Sequence, residues 1–155
     1  MDKPDKVNAI QALGPCYVHE PPSCFYFATF AVAFYNLVSV YGLKEDLTPI
    51  TQLIDITVQD IEEDIMCMDY SERYNLLAFG GKLGVTYVYE LGKAQQMVVV
   101  DVDVKDEFTP YRRLNGHFKT VRQIKFRPGP AKPLVYILTG SDDFSVRLWD
   151  AISGF

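Results

Sequence analysis

The chain has 155 residues, a formal net charge of −5 and a hydrophobic content of 48%. This length fits one domain or part of one, because domains usually hold about 100–200 residues. Charged residues make up 23% and aromatic residues 14%, which excludes a disordered chain, and the negative charge excludes a strongly basic nucleic-acid-binding protein. Three cysteines are too few for a disulfide scaffold and favour a reducing compartment.

The charge is unevenly distributed along the chain. Residues 1–110 hold 17 acidic and 7 basic side chains, whereas residues 111–155 hold 3 acidic and 8 basic ones. Ordinary solvated turns and strand edges explain such a pattern, but an acidic face attracting a basic partner such as a histone tail is a second interpretation.

The predicted elements begin after a polar, proline-broken lead-in over residues 1–23. The remaining chain alternates short apolar runs with Gly, Pro and Asp turn signals, which predicts strands and an all-β fold. The predicted strands are Phe25–Ala31, Leu37–Tyr41, Ile50–Val58, Ile65–Tyr70, Leu76–Gly80, Val85–Leu91, Met97–Val104, Val121–Phe126, Leu134–Thr139 and Val146–Trp149.

One stretch raises the alternative of a membrane span. Cys24 to Leu43 carries no formal charge and is about long enough to cross a bilayer. Asn36, Thr29 and Ser39 lie inside it, and its β-branched and aromatic residues favour two buried strands joined by a turn. No membrane association is predicted.

A repeat organises the predicted strands. Tyr41, Tyr89 and Trp149 each end a strand, and they are spaced by 48 and 60 residues. The first spacing approximates the period of about 40–45 residues of a four-stranded propeller blade, and the inserted residues Asp101–Tyr111 lengthen the second.

The last unit carries the most specific motif. It opens with Gly116-His117, closes with Trp149-Asp150, and resembles a WD repeat at nearly every marker position. The resemblance implies a structural chain of buried hydrogen bonds that joins Asp143, His117, Thr139 and Trp149. Such a chain leaves no buried polar atom unpaired, and each unpaired atom would cost about 1–3 kcal/mol.

The same residues allow catalytic or metal-binding interpretations, and these are weaker. A hydrolase triad of His117 with Ser141 or Cys67 lacks the Gly-x-Ser-x-Gly elbow. Cys16 and His19 lack a second pair of metal ligands, and Gly80–Gly84 lies between two strands, which indicates a hairpin turn instead of a phosphate loop. The sequence therefore predicts no enzyme activity, no metal and no cofactor.

Counting strands against blades predicts an incomplete ring. The chain holds between two and a half and three blades over residues 24–155, and the resemblance implies a ring of seven. Propellers close with about 4–8 blades, so we expect a fragment that is unstable or aggregates when it is expressed alone.

The order of the motifs resembles the beginning of the Polycomb-group ESC/EED family. The segments that carry this resemblance are Phe27–Thr29, Val38–Tyr41, Gln59–Asp64, Asn75–Gly84, Gly116–Pro128 and Ser141–Trp149. The resemblance implies a non-catalytic, nuclear scaffold that holds a SET-domain histone methyltransferase subunit, contacts the histone tail and supports chromatin repression, without sequence-specific binding of nucleic acid. The alternative is a generic WD-repeat adaptor such as a ubiquitin-ligase substrate receptor, although Ile152 stands where such receptors often carry Arg.

Family members also read trimethyl-lysine through an aromatic cage. By alignment, two cage positions fall at Leu13 and Ile65, and neither residue is aromatic. A cation–π cage needs aromatic faces, so methyl-lysine reading by this chain is not expected. Tyr17 or Phe25 would have to substitute, which we do not expect.

Overall fold

The computed structural model describes residues 6–14, 16–18, 24–46, 50–58, 60, 62–91, 112–130 and 134–154. Every element defined within these residues is a β-strand. The strands are β1 (Ala9–Leu13), β2 (Cys16–Val18), β3 (Cys24–Tyr26), β4 (Ala28–Ala33), β5 (Leu37–Leu43), β6 (Thr51–Thr57), β7 (Ile65–Ser71), β8 (Leu76–Gly81), β9 (Thr86–Glu90), β10 (Arg112–Leu114), β11 (Val121–Pro128), β12 (Val135–Ser141) and β13 (Val146–Asp150).

The strands form three successive antiparallel sheets and one small hairpin. The first sheet has the order β1-β4-β5-β6, the second β10-β9-β8-β7 and the third β11-β12-β13, while β2 pairs with β3. The predicted all-β class is therefore confirmed.

The sheets follow one another as propeller blades do. Strands β1, β7 and β11 are the first strands of their sheets, and β7 contacts both of the others. One apolar cluster fills the space between the first two sheets and includes Val40, Ile56, Phe79 and Tyr89. A second cluster, with Ala78, Val88 and Ile137, lies between the second and third sheets.

Alternating polarity explains how the strands acquire their buried faces. In β11, Val121 and Ile124 are buried, whereas Arg122, Gln123 and Lys125 are exposed. Side chains on a strand point alternately to opposite faces, and a bulge between Val121 and Gln123 shifts this alternation.

The predicted boundary of the propeller at residue 24 differs from the observed sheets. The segment 1–23, predicted to be a lead-in separate from the propeller at 24–155, contributes β1, which pairs with β4 through Ala9↔Ala33 to Leu13↔Thr29. The first sheet thus has four strands, where the sequence predicted three strands before Ile65. Within segment 1–23, Ala9–Leu13 is a strand, and a strand beside an open sheet edge can complete that sheet.

The outer strand of the second sheet also differs from the prediction. The sequence placed it at Met97–Val104, which lies outside the described residues, as does the insertion Asp101–Tyr111. The observed outer strand is β10, with Arg112 opposite Val88 and Leu114 opposite Thr86. Leu114 is buried between the second and third sheets, so one apolar side chain anchors this short, charged strand.

The uncharged stretch of residues 24–43 forms strands β3, β4 and β5. Within the described parts of the chain, no helix is long and apolar enough to cross a bilayer.

The three sheets share one register, which makes their residues comparable position by position. Tyr41 pairs with Phe30 in the first sheet, Tyr89 with Leu77 in the second and Trp149 with Ile137 in the third. The three aromatic residues of the predicted repeat therefore occupy equivalent positions. Phe79 and Thr139 are also equivalent. Each pairs with the residue two positions before the aromatic residue of the next strand, which is Tyr87 in the second sheet and Arg147 in the third.

Candidate functional site

A chain of hydrogen bonds crosses the third sheet from its interior to its last turn. Trp149 Nε1 donates to Thr139 Oγ1 over 2.9 Å. Thr139 Oγ1 lies 2.8 Å from His117 Nε2, and His117 Nδ1 lies 2.8 Å from Asp143 Oδ2. The four residues predicted for a structural network thus lie in one connected chain.

The acceptor at one end of this chain places a proton on Nδ1 of His117. A carboxylate can only accept, so Nδ1 carries a proton and donates to Asp143. Thr139 already accepts the Trp149 N–H, and its own hydroxyl proton can be donated to an unprotonated His117 Nε2. All three bonds then run in one direction, and each buried polar group has a partner.

Asp143 lies at the end of the chain and collects further donors. Its Oδ1 accepts from Ser145 Oγ at 2.5 Å and from Ser145 N at 2.9 Å, and its Oδ2 also accepts from Phe118 N at 3.0 Å. These bonds favour the charged form, so the hydroxyl of Ser145 first, then His117 and the two backbone N–H groups, hold the pKa of Asp143 well below its ordinary value, against the opposing effect of desolvation.

Gly116 is required beside this network. A Cβ atom at position 116 would lie 2.8 Å from Trp149 Cη2 and 2.9 Å from Arg147 Nη1. The indole therefore packs against the backbone that carries His117, and the two rings meet nearly edge to face with their centroids 6.4 Å apart.

The geometry does not match a hydrolase. The His117 side chain has no exposed surface, and Nε2 is bonded to Thr139. Ser141 Oγ donates to the Lys119 carbonyl, and Ser145 Oγ donates to Asp143. Neither serine therefore donates its proton to the histidine, as a nucleophile would have to.

Cys67 has the chemistry of a core residue. Its thiol lies between the second and third sheets, 3.5 Å from the Gly80 carbonyl and 3.4 Å from that of Val121. Burial raises the pKa of the Cys67 thiol to about 12, and a protonated thiol is a poor nucleophile.

Cys16 and His19, the residues of the weaker zinc alternative, lie where side chains are not described. Among the described residues, no cluster of three or more His, Cys, Asp or Glu side chains could hold a metal ion.

The two aligned cage positions lie on first strands and are aliphatic. Ile65 in β7 is fully buried, and Leu13 in β1 is partly buried against the same apolar cluster. Ile65 thus packs within the core between the first two sheets. The side chains of Tyr17 and Phe25, the candidate substitutes, lie outside the described set.

The second sheet replaces the polar network with aromatic stacking. Phe79 and Tyr89, which are equivalent to Thr139 and Trp149, have ring centroids 5.3 Å apart and planes inclined by only 8°. Desolvation raises the pKa of Tyr89 to about 12. The same two positions thus join neighbouring strands through stacked rings in one sheet and through hydrogen bonds in the next.

Glu63 performs a capping role that the sequence did not predict. It is fully buried before β7, and its Oε1 accepts from the N–H of Leu83, which is equivalent to Asp143. Burial is the main cause that raises the pKa of Glu63 above its ordinary value. In the second sheet the carboxylate that caps the turn therefore comes from the preceding loop, whereas in the third it comes from the turn itself.

Side chains near the first strands connect neighbouring sheets. The Asn8 side chain donates to the Ile65 carbonyl at 2.9 Å, which joins the first and second sheets. Asp69 Oδ2 accepts from Phe126 N at 2.7 Å, which joins the second and third.

Comparison with known proteins agrees with this geometry. Residues 108–150 match the family described as WD domain, G-beta repeat. The third sheet therefore matches one WD repeat, and the chain has a partial, propeller-like WD fold. This class of fold typically serves as a non-catalytic scaffold.

Solved structures extend the likeness over nearly the whole chain. A chain of an active polycomb repressive complex 2 in the basal state aligns with a TM-score of 0.61 at 20% identity, covering 94% of this chain and 27% of that one. A chain of the Chaetomium thermophilum polycomb repressive complex 2 gives 0.60 at 20% identity, with 92% and 26% covered. The WD40 propeller domain of Doa1 gives 0.62 at 18% identity, with 97% and 39% covered.

The chain thus spans about a quarter to two fifths of the length of these structures. At such identities the likeness concerns the fold.

Proposed function

We propose that this chain belongs to a non-catalytic WD-repeat scaffold subunit of a nuclear, Polycomb-type histone methyltransferase complex that supports chromatin repression. The observation that carries the proposal is that the polar side chains of the third sheet are hydrogen-bonded to one another within the fold. His117, Thr139 and Asp143 are bonded to one another and buried in the fold, so the site supports a binding surface and not a reaction.

The choice of complex is supported by two observations. The structural likeness to chains of polycomb repressive complex 2 covers more than nine tenths of this chain. The motifs also follow one another in the order found in the ESC/EED family, including the two early units that lack Gly-His and Trp-Asp. The partner that this assignment implies is a SET-domain methyltransferase subunit, with the histone tail as a second partner.

The cage positions separate this chain from readers of trimethyl-lysine. Ile65 is fully buried in an apolar cluster and Leu13 packs against that cluster, so neither offers an aromatic face to a cation. We expect histone peptides to bind with equal affinity whether their lysine is unmodified or trimethylated.

A second function is a generic WD adaptor, such as a substrate receptor of a ubiquitin ligase. The likeness to the Doa1 propeller, which matches this chain as well as the polycomb structures do, supports a WD-repeat role that is not tied to a polycomb complex. Ile152, whose N–H is bonded to Asp150, occupies the position where Arg is frequent in such receptors, which weakens this alternative.

Affinity purification of the whole tagged protein from nuclear extract separates the two functions. The proposal predicts that a SET-domain methyltransferase is enriched, and that a Thr139→Val variant enriches less of it because less of that protein is folded. Enrichment of a cullin adaptor without a methyltransferase would contradict the chromatin assignment and support the alternative.

A further inference from the structure

Asn115 differs from the other three asparagines of the chain in its surroundings. Asn8 and Asn36 donate their side-chain N–H groups to backbone carbonyls, and the side-chain oxygen of Asn75 accepts from the Tyr70 hydroxyl. Asn115 lies directly after β10 and is exposed, and among the described residues no hydrogen bond holds its side chain. Its amide is therefore the most accessible of the four to water.

The residue that follows an asparagine decides whether its side chain can react with the backbone. Ring closure brings the next backbone nitrogen against the side-chain carbon Cγ, and a side chain on that next residue hinders the approach. Asn8 precedes alanine, and Asn36 and Asn75 precede leucine, whereas Asn115 precedes Gly116. Glycine adds no side chain and permits backbone angles that other residues disfavour. The N–H of Gly116 has no hydrogen-bond partner within the described chain, so no bond has to break before it reacts.

A positive charge lies beside Gly116. A Cβ atom at this position would be 2.9 Å from Nη1 of Arg147 and 3.2 Å from its Cζ. In the part of the chain that the structure describes, no carboxylate pairs with Arg147, whose guanidinium lies 5.9 Å from the centre of the Trp149 ring. A backbone nitrogen must lose its proton before it attacks, and a nearby cation favours the resulting anion. The surroundings of Gly116 therefore favour the reactive form of its nitrogen.

Two buried side chains enclose the bond between Asn115 and Gly116. Leu114 anchors β10 between the second and third sheets and is 1% exposed. His117 is buried, and its two ring nitrogens are bonded to Asp143 and Thr139. Because only two residues separate these side chains, the backbone between them cannot be lengthened without displacing Leu114 or His117.

We propose that Asn115 is a site of spontaneous deamidation, and that the isoaspartate formed there loosens the hydrogen-bonded network of the third sheet. The Gly116 nitrogen loses its proton and bonds to Asn115 Cγ, while the bond from Cγ to the side-chain nitrogen breaks and ammonia leaves. The product is a cyclic succinimide. Water then opens the ring at either of its two carbonyls, giving aspartate or isoaspartate, so one water is consumed and one ammonia is released.

The two products differ in the length of the backbone. Aspartate keeps the ordinary backbone and adds only a negative charge at an exposed position. In isoaspartate the main chain passes through Cβ and Cγ of residue 115, and it gains one methylene group between Leu114 and His117. The effect on the network is therefore specific to isoaspartate, and it does not depend on which partner the protein binds.

The first experiment ages the full purified chain at mildly alkaline pH and locates deamidation by peptide mass spectrometry. We expect conversion at Asn115 at least tenfold faster than at Asn8, Asn36 or Asn75, which serve as internal controls. Isoaspartate is identified by methyl transfer from S-adenosylmethionine with an isoaspartyl methyltransferase, and Asn115→Gln should give no label in the peptide that contains residue 115. Faster conversion at another asparagine would overturn the proposal. So would a folded chain whose Asn115 stays intact while the urea-unfolded chain reacts.

The second experiment measures the effect on the fold. The deamidated chain is separated by anion exchange, since it carries one more negative charge, and its thermal unfolding is compared with that of Asn115→Asp. This variant has the same charge on an ordinary backbone and should unfold near the temperature of the unaltered chain. The fraction that contains isoaspartate should unfold several degrees lower and should lose protection of the Trp149 indole N–H against exchange. Equal unfolding temperatures for that fraction and Asn115→Asp would contradict the proposal.

Discussion

Thr139 is the residue on which the hydrogen bonds of the third sheet depend. Its hydroxyl accepts from Trp149 and is hydrogen-bonded to His117 Nε2, and the residue has no exposed surface. Thr139→Val keeps the shape but leaves both partners unpaired, at about 1–3 kcal/mol for each group. Urea unfolding followed by the fluorescence of Trp149, the single tryptophan of the chain, measures the loss. Thr139→Ser retains the hydroxyl and should lose much less, so equal losses would contradict this role.

Asp143 makes the stability of the folded chain fall as the pH is lowered. Hydrogen bonds from Ser145, His117 and the backbone lower its pKa in the folded state. Its contribution to stability is therefore complete above the unfolded pKa of about 4 and is lost progressively as the pH falls below that value. The thermal midpoint of the unaltered chain should fall between pH 6 and pH 3 by more than that of Asp143→Asn.

Other groups titrate in the same range, so the difference between the two proteins is the informative quantity. The pKa values of Asp142 and Asp150 are lowered by hydrogen bonds, while that of Glu63 is raised by burial, and all three remain in the variant. Parallel pH curves for the two proteins would contradict a special contribution of Asp143.

At this scale the sequence identified four members of the network but not their neighbours. His117, Thr139, Asp143 and Trp149 stand at the marker positions of a WD repeat, which is why a resemblance could locate them. Glu63, Ser145 and the N–H of Phe118 join through loop geometry, which residue spacing does not reveal. The buried carboxylate of Glu63 has one weak signal, an apolar strand beginning two residues later.

At the scale of the elements, the turns between neighbouring strands decide how the sheets fit together. Gly84 has φ 80°, and a Cβ there would lie 2.5 Å from the His117 carbonyl oxygen of the next sheet. Gly84→Ala should therefore destabilise the chain by at least about 1–2 kcal/mol, from the left-handed backbone alone. Gly140→Ala is the matched control, because no atom lies within 4 Å of the added Cβ. Equal unfolding midpoints of the two variants would contradict a close fit between the sheets.

The elements that the sequence missed are those with little apolar signal. Strand β10 has two arginines and one leucine, and it pairs over only three residues. Strand β1 is followed by a proline at position 15 and lies within a segment whose prolines indicated an extended lead-in outside the sheets. Both are determined by pairing with a neighbouring strand, and such pairing between distant segments leaves no local periodicity.

At the scale of the whole molecule, one apolar row on the third sheet is exposed. Leu138, Val146 and Leu148 are 43%, 70% and 60% exposed, whereas the equivalent residues of the second sheet, Ala78, Thr86 and Val88, have no exposed surface because the third sheet covers them. The row therefore resembles the apolar face by which the second sheet packs against the third.

This row should make the isolated chain self-associate. Leu148→Glu introduces a charge into the row and should reduce association, measured by light scattering at increasing concentration. Ile50→Glu adds the same charge at an exposed apolar residue preceding β6 and should have a smaller effect. A chain that stays monomeric at high concentration would contradict this prediction.

The proposed scaffold function depends on the polar side chains of the third sheet serving the fold and not a reaction. Hydrogen exchange at the indole N–H of Trp149 tests this most directly, because the chain has one tryptophan and the exchange rate reports its bond to Thr139. We predict one sharp indole resonance that exchanges far more slowly than free indole and loses its protection in Thr139→Val. Exchange of the unaltered chain at the rate of free indole would contradict the network and the scaffold function built on it.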